Sequence, residues 1–172
     1  MNSKFFSLTE ELNSLDYFEK AVSFIRETQY SDIAWKWVVL SLHGALYGFA
    51  VSACQGTNAH SVLDNKRRNH LISFNEAIKR CEAGRAGKAL VLSSEERKSV
   101  RVLKKFLRDE FEHFKPCNHT FRLNGIAEVA LNCIHVTETL ATATSPWVKL
   151  DKHQRQRVKE LGAEARTILL KC

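Results

Sequence analysis

Glycine and proline are scarce in this chain, with seven and two residues among 172. No Asn-Gly or Asp-Gly dipeptide lies between alternating apolar residues, so β-hairpins find little support. A chain of this length can bury roughly two thirds of the surface that its unfolded form exposes, without disulfide or metal cross-links. We therefore predict one domain, residues 1–172, built from helices.

Signals for export are also missing. The five cysteines form no CxxC pair, and the amino terminus reaches Glu10 and Glu11 without the apolar core of a signal peptide. We expect a cytoplasmic protein with reduced thiols. Four of the thiols are predicted to be small buried hydrophobes or an exposed tail thiol: Cys54, Cys81, Cys133 and Cys172.

Basic residues dominate the middle of the chain. The net charge is +7, and residues 65–108 hold 13 Lys or Arg residues against four Glu. A basic region suits a phosphate-rich partner, because neutralising nucleic-acid phosphates releases their condensed counterions. The alternative is a solvated surface that keeps the protein soluble.

Apolar residues recur at helical spacing along most of the chain. With Thr9 or Ser7, Ser31 or Asp32, and Ser93 as caps, this spacing predicts helices over about 9–26, 31–54, 65–83, 93–115, 123–143 and 151–170. No repeat, low-complexity tract or linker divides them. The expected fold is an all-α, single-domain bundle of five to six helices.

The second predicted helix is apolar on nearly every side. Residues 37–54 carry no formal charge, which is long enough to suggest a membrane span. Polar residues such as His43 and Tyr47 interrupt it, and no other segment could join it in a bilayer, so we predict a core helix and no membrane. Gly44 and Gly48 lie one turn apart and would let another helix approach closely, within the bundle or across a subunit boundary.

The fourth predicted helix carries basic residues at steps of three and four, beside its apolar face. They form a stripe that leads towards its carboxyl end: Arg97, Arg101, Lys104 and Arg108. With the triplet Lys66, Arg67 and Arg68 at the start of the third predicted helix, we expect this stripe to guide a nucleic-acid backbone.

The end of this helix gathers an arginine, an aspartate and a histidine. Arg108 lies one turn before Glu112, and Asp109 lies one turn before His113, so the Asp109 carboxylate could accept the imidazole N–H and fix its tautomer. A histidine can move the proton of a ribose 2′-OH, and an arginine can hold the phosphate. Two copies around a twofold axis would supply both an acid and a base. Ordinary i,i+4 ion pairs on a helix are the alternative.

The stretch from Leu107 to Phe114 resembles the R-x(4-6)-H signature of the HEPN superfamily, in which a polar residue typically follows the arginine. The long apolar helix, from Trp35 to Phe49, is also similar to one in uncharacterised bacterial proteins with such a motif. The resemblance implies a HEPN-like up-down bundle and a homodimer with paired motifs. It also implies metal-independent endoribonuclease activity, without a cofactor, at Arg108, Asp109 and His113.

Many members of this superfamily are toxins or phage-defence effectors, so a cognate antitoxin protein is a further expected partner. Other members have lost catalysis, and a non-catalytic module that binds nucleic acid or protein is the alternative. His113, Cys117 and His119 lack the four tightly paired ligands of structural zinc, so a polar loop is the better interpretation and no metal site is predicted.

Overall fold

The computed structural model describes residues 5–56, 59–64, 70–85, 87–113 and 120–171. In this part of the chain six helices form a bundle and no strand is present, which confirms the predicted all-α fold. The helices are α1 (Glu10–Glu27), α2 (Ala34–Gln55), α3 (Phe74–Glu82), α4 (Ser94–Val102, continued by Leu103–Arg108 and Asp109–Glu112), α5 (Leu123–Thr139, continued by Leu140–Thr144) and α6 (Lys152–Leu169).

Two predicted amino-terminal caps, Thr9 and Ser93, are confirmed. Thr9 accepts a hydrogen bond from the backbone of α1. Ser93 and Asp151 form reciprocal capping boxes at the starts of α4 and α6, with Glu96 and Gln154 respectively. Each box satisfies two backbone N–H groups that a helix start leaves free.

Two predicted helix starts are wrong. Helix α2 begins at Ala34 without a side-chain cap, after a turn in which the backbone carbonyls of Ser31 and Asp32 accept hydrogen bonds. Helix α3 begins only at Phe74, where Ser73 caps it. The predicted start near residue 65 lies outside the described residues, and residues 70–73 are not helical: Leu71 pairs with Leu63 in an isolated antiparallel bridge.

Helix α2 is the centre of the bundle, as its composition predicts. Its side chains Val38, Leu42, Leu46 and Phe49 are fully buried, and α1, α3, α4 and α5 all pack against it. Among the described residues, α2 is the one helix long and apolar enough to cross a membrane, and 72% of its most apolar window is buried inside the bundle.

The small residues of α2 admit α1. A Cβ atom added to Gly48 would lie 2.1 Å from Ser14 Oγ, and one added to Gly44 would lie 2.8 Å from a ring carbon of Tyr17. Both neighbours belong to α1. Of the two alternatives predicted for these glycines, the structure shows the approach within the bundle.

Two helices contain a segment of π geometry, in which backbone N–H groups bond five residues back instead of four. In α4 the π segment is Leu103–Arg108, and in α5 it is Leu140–Thr144. The candidate site lies at the end of the first of these segments, Leu103–Arg108.

Arg155 of α6 is half-buried. Its guanidinium donates to the backbone oxygens of Leu150 (3.0 Å), Val148 (2.7 Å), Ala141 (3.2 Å) and Thr142 (3.3 Å). Because α5 has ended, the carbonyls at its end need partners from outside the helix. Arg155 therefore joins the end of α5 to the loop that precedes α6.

Candidate functional site at the end of helix α4

Helix α4 changes geometry twice before it ends. The regular α turns stop at Val102, the π segment ends with Arg108, and a last α turn covers Asp109–Glu112. His113 then has extended backbone angles, φ −97° and ψ 123°, although its N–H still donates to Asp109 O at 3.2 Å. The three predicted catalytic residues thus lie within six consecutive positions, with the histidine just outside the helix.

Asp109 is the centre of a network of ion pairs. Its carboxylate accepts from Arg108 Nη1 at 3.1 Å and lies 3.5 Å from Lys104 Nζ. Arg108 also pairs with Glu112, one turn later, as its spacing predicts. Two cations and two carboxylates therefore form one network, which we call the α4 cluster: Lys104, Arg108, Asp109 and Glu112.

The predicted hydrogen bond between Asp109 and the His113 imidazole is not present among the described contacts. Two features of the backbone explain the difference. A π turn brings residues five apart together, so Asp109 lies over Lys104 rather than continuing the α-helical row. His113 has left helical geometry, so its side chain no longer follows the i,i+4 direction from Asp109. The imidazole is exposed at the end of the helix.

The charges of the α4 cluster hold Asp109 ionised. Partial burial by itself would raise the pKa of Asp109, but the Arg108 hydrogen bond and the positive charges of Lys104 and Arg108 outweigh it. The pKa of Asp109 is therefore below its usual value. Arg108 is itself half-buried, with 28% of its side chain exposed, so its ion pairs are partly shielded from water.

A second histidine, His43 of α2, lies behind the α4 cluster. Its ring stacks on Phe74 at 4.8 Å between centroids, and its Nε2 atom is buried without a hydrogen-bond partner among the described residues. Burial, together with the positive charges of Arg108 and Lys104, lowers the pKa of His43 to about 4. This imidazole is neutral at pH 7.

The predicted basic stripe is divided by the π segment. Arg97 pairs with Glu82 of α3, and Arg101 and Lys105 line a groove of about 380 Å³ between α3 and α4. Lys104 instead belongs to the α4 cluster. The other predicted RNA contacts, Lys66, Arg67 and Arg68, lie outside the described residues.

The sequence missed Lys105 as a member of the groove and Lys104 as a partner of Asp109. Lys105 lies four residues after Arg101, at regular helical spacing, so the sequence could have indicated it. The contact between Lys104 and Asp109 follows from the π turn, which brings residues five apart together and of which helical spacing of 3.6 residues gives no sign. The stacking of Phe74 on His43 was missed for another reason, since it joins segments 31 residues apart.

No three His, Cys, Asp or Glu side chains lie close enough to hold a metal ion in the part of the chain that the structure describes. Cys117 and His119 lie outside that part. The chemistry that these residues themselves offer is anion binding by Arg108 and Lys104, and proton transfer by the exposed His113.

Comparison with known proteins finds no family model, no curated protein and no solved structure that matches this chain.

Proposed function

We propose that this chain is a HEPN-like RNA-binding protein that cleaves RNA without a metal ion, as a homodimer. The observation that carries the proposal is the end of α4, where a half-buried Arg108 and an exposed His113 stand five positions apart on either side of a change in backbone geometry. π segments within α-helices are frequent at functional sites, which supports this location.

The roles of the side chains follow from their environments. His113 is accessible and would take the proton of the ribose 2′-OH or deliver one to the leaving oxygen. Arg108 would hold the phosphate and its developing charge. Because two carboxylates already engage this guanidinium, a phosphate must displace at least one of them, and Glu112 is the more exposed of the two. Asp109 would keep Arg108 and Lys104 in place rather than orient the imidazole.

A second copy would complete the site, since the described part of one chain offers one exposed histidine at the end of α4, His113. An apolar groove of about 580 Å³ beside the last turn of α4 supports self-association. Its lining includes Ile33, Trp35, Phe111 and Leu123, and 68% of Ile33 is exposed. A patch of this kind beside a charged site is a common form of protein interface.

The second candidate function is a non-catalytic module that binds nucleic acid. The observation that favours it is the state of the α4 cluster, in which Asp109 engages Lys104 and Arg108 and leaves the imidazole without an orienting carboxylate. Such a protein would use the groove with Arg101 and Lys105 to bind the backbone and would leave it intact.

Cleavage of labelled RNA in EDTA distinguishes the two functions. We expect cleavage by the wild type, a loss of about 10²–10⁴-fold in His113→Ala, and a comparable loss in Arg108→Ala. His153→Ala removes an exposed histidine at the start of α6 and is the matched control, expected to cleave like the wild type. Equal cleavage by wild type and His113→Ala would remove the proposed mechanism. Binding without cleavage in every variant would favour the module.

The oligomeric state tests the proposal that the protein acts as a homodimer. Light scattering is expected to give twice the mass of 19.6 kDa. Replacing Ile33 by Glu should yield monomers that have lost cleavage but still bind RNA. A monomeric wild type with full activity would contradict the need for a second copy.

The biological role that we propose is that of a toxin or phage-defence effector, held inactive by a cognate antitoxin protein. It rests on the resemblance to HEPN proteins of this kind. Expression of the wild type should arrest bacterial growth, whereas His113→Ala should not. Arrest by both would show that the toxicity is unrelated to cleavage.

A further inference from the structure

Two thiols lie in contact at the far ends of α2 and α3. Cys54 Sγ and Cys81 Sγ are 3.5 Å apart, and both side chains are buried. Each thiol also lies within hydrogen-bond distance of a backbone oxygen of the other helix, Cys54 of Ala77 and Cys81 of Ala50, at 3.5 Å. A disulfide needs a sulfur–sulfur distance of about 2.05 Å, so the two sulfur atoms must come about 1.5 Å closer than the 3.5 Å that separates them now.

The two thiols are not equivalent. The hydrogen bond with Cys81 lowers the pKa of Cys54, and the positive charge of Arg80 acts in the same direction against burial. The same hydrogen bond, together with burial, raises the pKa of Cys81. Cys54 is also slightly more accessible, being 6% exposed against 2% for Cys81, and it precedes the exposed Gln55 at the end of α2. Cys54 is therefore the thiol that an oxidant would meet first.

We propose that Cys54 and Cys81 are a redox-modification site, which hydrogen peroxide converts to a reversible disulfide. The Cys54 thiolate attacks one peroxide oxygen, so that an S–O bond forms, the O–O bond breaks and hydroxide leaves. Cys81 then attacks the sulfenic sulfur of Cys54, so that the S–S bond forms and the oxygen leaves with the Cys81 proton as water. The hydroxide takes up the proton that the Cys54 thiol released, so two thiols lose two electrons and one peroxide becomes two waters.

The disulfide would link the carboxyl end of α3 covalently to the carboxyl end of α2. Two residues of α3 contact the surroundings of the candidate site. Phe74 stacks on His43 of α2, and Glu82 pairs with Arg97 of α4. A covalent link at Cys81 constrains both contacts. It also closes a loop of 28 residues, from 54 to 81, in the unfolded chain.

Mass spectrometry of the full-length protein tests the site directly. Reduced protein is treated with hydrogen peroxide, its remaining thiols are alkylated, and trypsin releases residues 37–66 and 81–85 as separate peptides. We expect these two peptides to become linked, with the loss of two hydrogens, and dithiothreitol to reverse the link. The oxidised protein should melt roughly 5–10 °C higher than the reduced protein.

Three cysteine variants test the order of reaction. In Cys81→Ser, Cys54 should accumulate as a sulfenic acid that dimedone traps, whereas in Cys54→Ser dimedone should not label Cys81. Cys133→Ser is the matched control, because Cys133 is fully buried in α5, and it should form the link like the wild type. The proposal is overturned if the folded wild type forms no link between 37–66 and 81–85, if peroxide links either peptide elsewhere, or if the link appears only in urea.

Discussion

His43 shows how the fold changes the chemistry of a single residue. In water an imidazole titrates near pH 6.5, but here it stacks on Phe74 behind two cations and is largely removed from solvent. Protonation would add a third positive charge to a site that already holds Arg108 and Lys104. The folded protein therefore favours the neutral form.

This shift makes stability depend on pH. The pKa of His43 is about 4 in the folded protein and about 6.5 when unfolded, so the unfolded chain binds more protons between these values. Stability from His43 is fully present above pH 6.5 and is lost as the pH falls towards 4. Between pH 7 and 5 we expect the free energy of unfolding to fall by about 2 kcal/mol from this residue, measured by urea unfolding.

The variant His43→Phe should remove this dependence, since it keeps an aromatic ring on Phe74 but cannot titrate. His153→Gln changes an exposed histidine and should leave the slope between pH 7 and 5 as in the wild type. Carboxylates with lowered pKa values, such as Glu76 and Glu164, lose their contributions mainly below this range. An unchanged slope in His43→Phe would contradict the assignment.

Packing between α1 and α2 is the clearest case at the scale of an element. A side chain at Gly48 would meet both Ser14 Oγ, at 2.1 Å, and Ser14 Cβ, at 3.2 Å, and the second of these cannot move without its backbone. Gly48→Ala should therefore destabilise the protein by about 1–3 kcal/mol through overpacking. Urea unfolding measures the change.

Gly125 provides the matched control for this substitution. It lies in the first turn of α5 on the exposed side, and an added Cβ would meet nothing closer than Arg122 Cβ at 3.9 Å. Gly125→Ala should stabilise by roughly 0.4–1 kcal/mol, because alanine restricts the unfolded chain without strain. Equal effects of the two substitutions would show that the approach of α1 does not depend on Gly48.

The elements differ in how far their sequences determine them. The starts of α1, α4 and α6 were predicted because each has a capping side chain followed by a regular apolar row. The start of α3 was not, because Leu71 pairs with Leu63, eight residues earlier, and the helical spacing of apolar residues contains no sign of that bridge. The bridge keeps Leu71 out of the helix that its spacing to Phe74 and Ile78 predicts.

The candidate site was predicted in its position but not in its contacts. The spacing of Arg108 and Glu112 gave a true ion pair, whereas the spacing of Asp109 and His113 did not. The difference arises because Arg108 and Glu112 both lie within the helix, whereas His113 lies one residue beyond its end. A rule based on helical periodicity fails where the helix ends.

The net positive charge of +7 is a property of the whole molecule. Of the 26 Lys and Arg residues, 13 lie in residues 65–108, so we expect nucleic acid to bind around α3 and α4 and to bind less tightly as salt rises. Arg101→Ala should make the slope of log affinity against log salt less steep by about one unit, as for the loss of one phosphate contact. Fluorescence anisotropy with labelled RNA measures the slope.

Two other arginines serve as comparisons. Arg97→Ala should change the slope less than Arg101→Ala, because Arg97 already pairs with Glu82. Arg157→Ala removes a cation of α6 that pairs with Glu19 at 2.8 Å, and it should leave the slope unchanged. A slope equally altered by all three would indicate attraction to overall charge rather than binding along α4.

The π segment of α4 also bears on the length of the chain. A π turn holds one residue more than the α turn it replaces, while the helix on either side keeps its course. The loss of one residue between Leu103 and Arg108 could thus be absorbed by a return to α geometry, whereas a loss in Ser94–Val102 would rotate every later side chain. Among chains that share this fold, we expect the length of this helix to vary by one residue at the π segment.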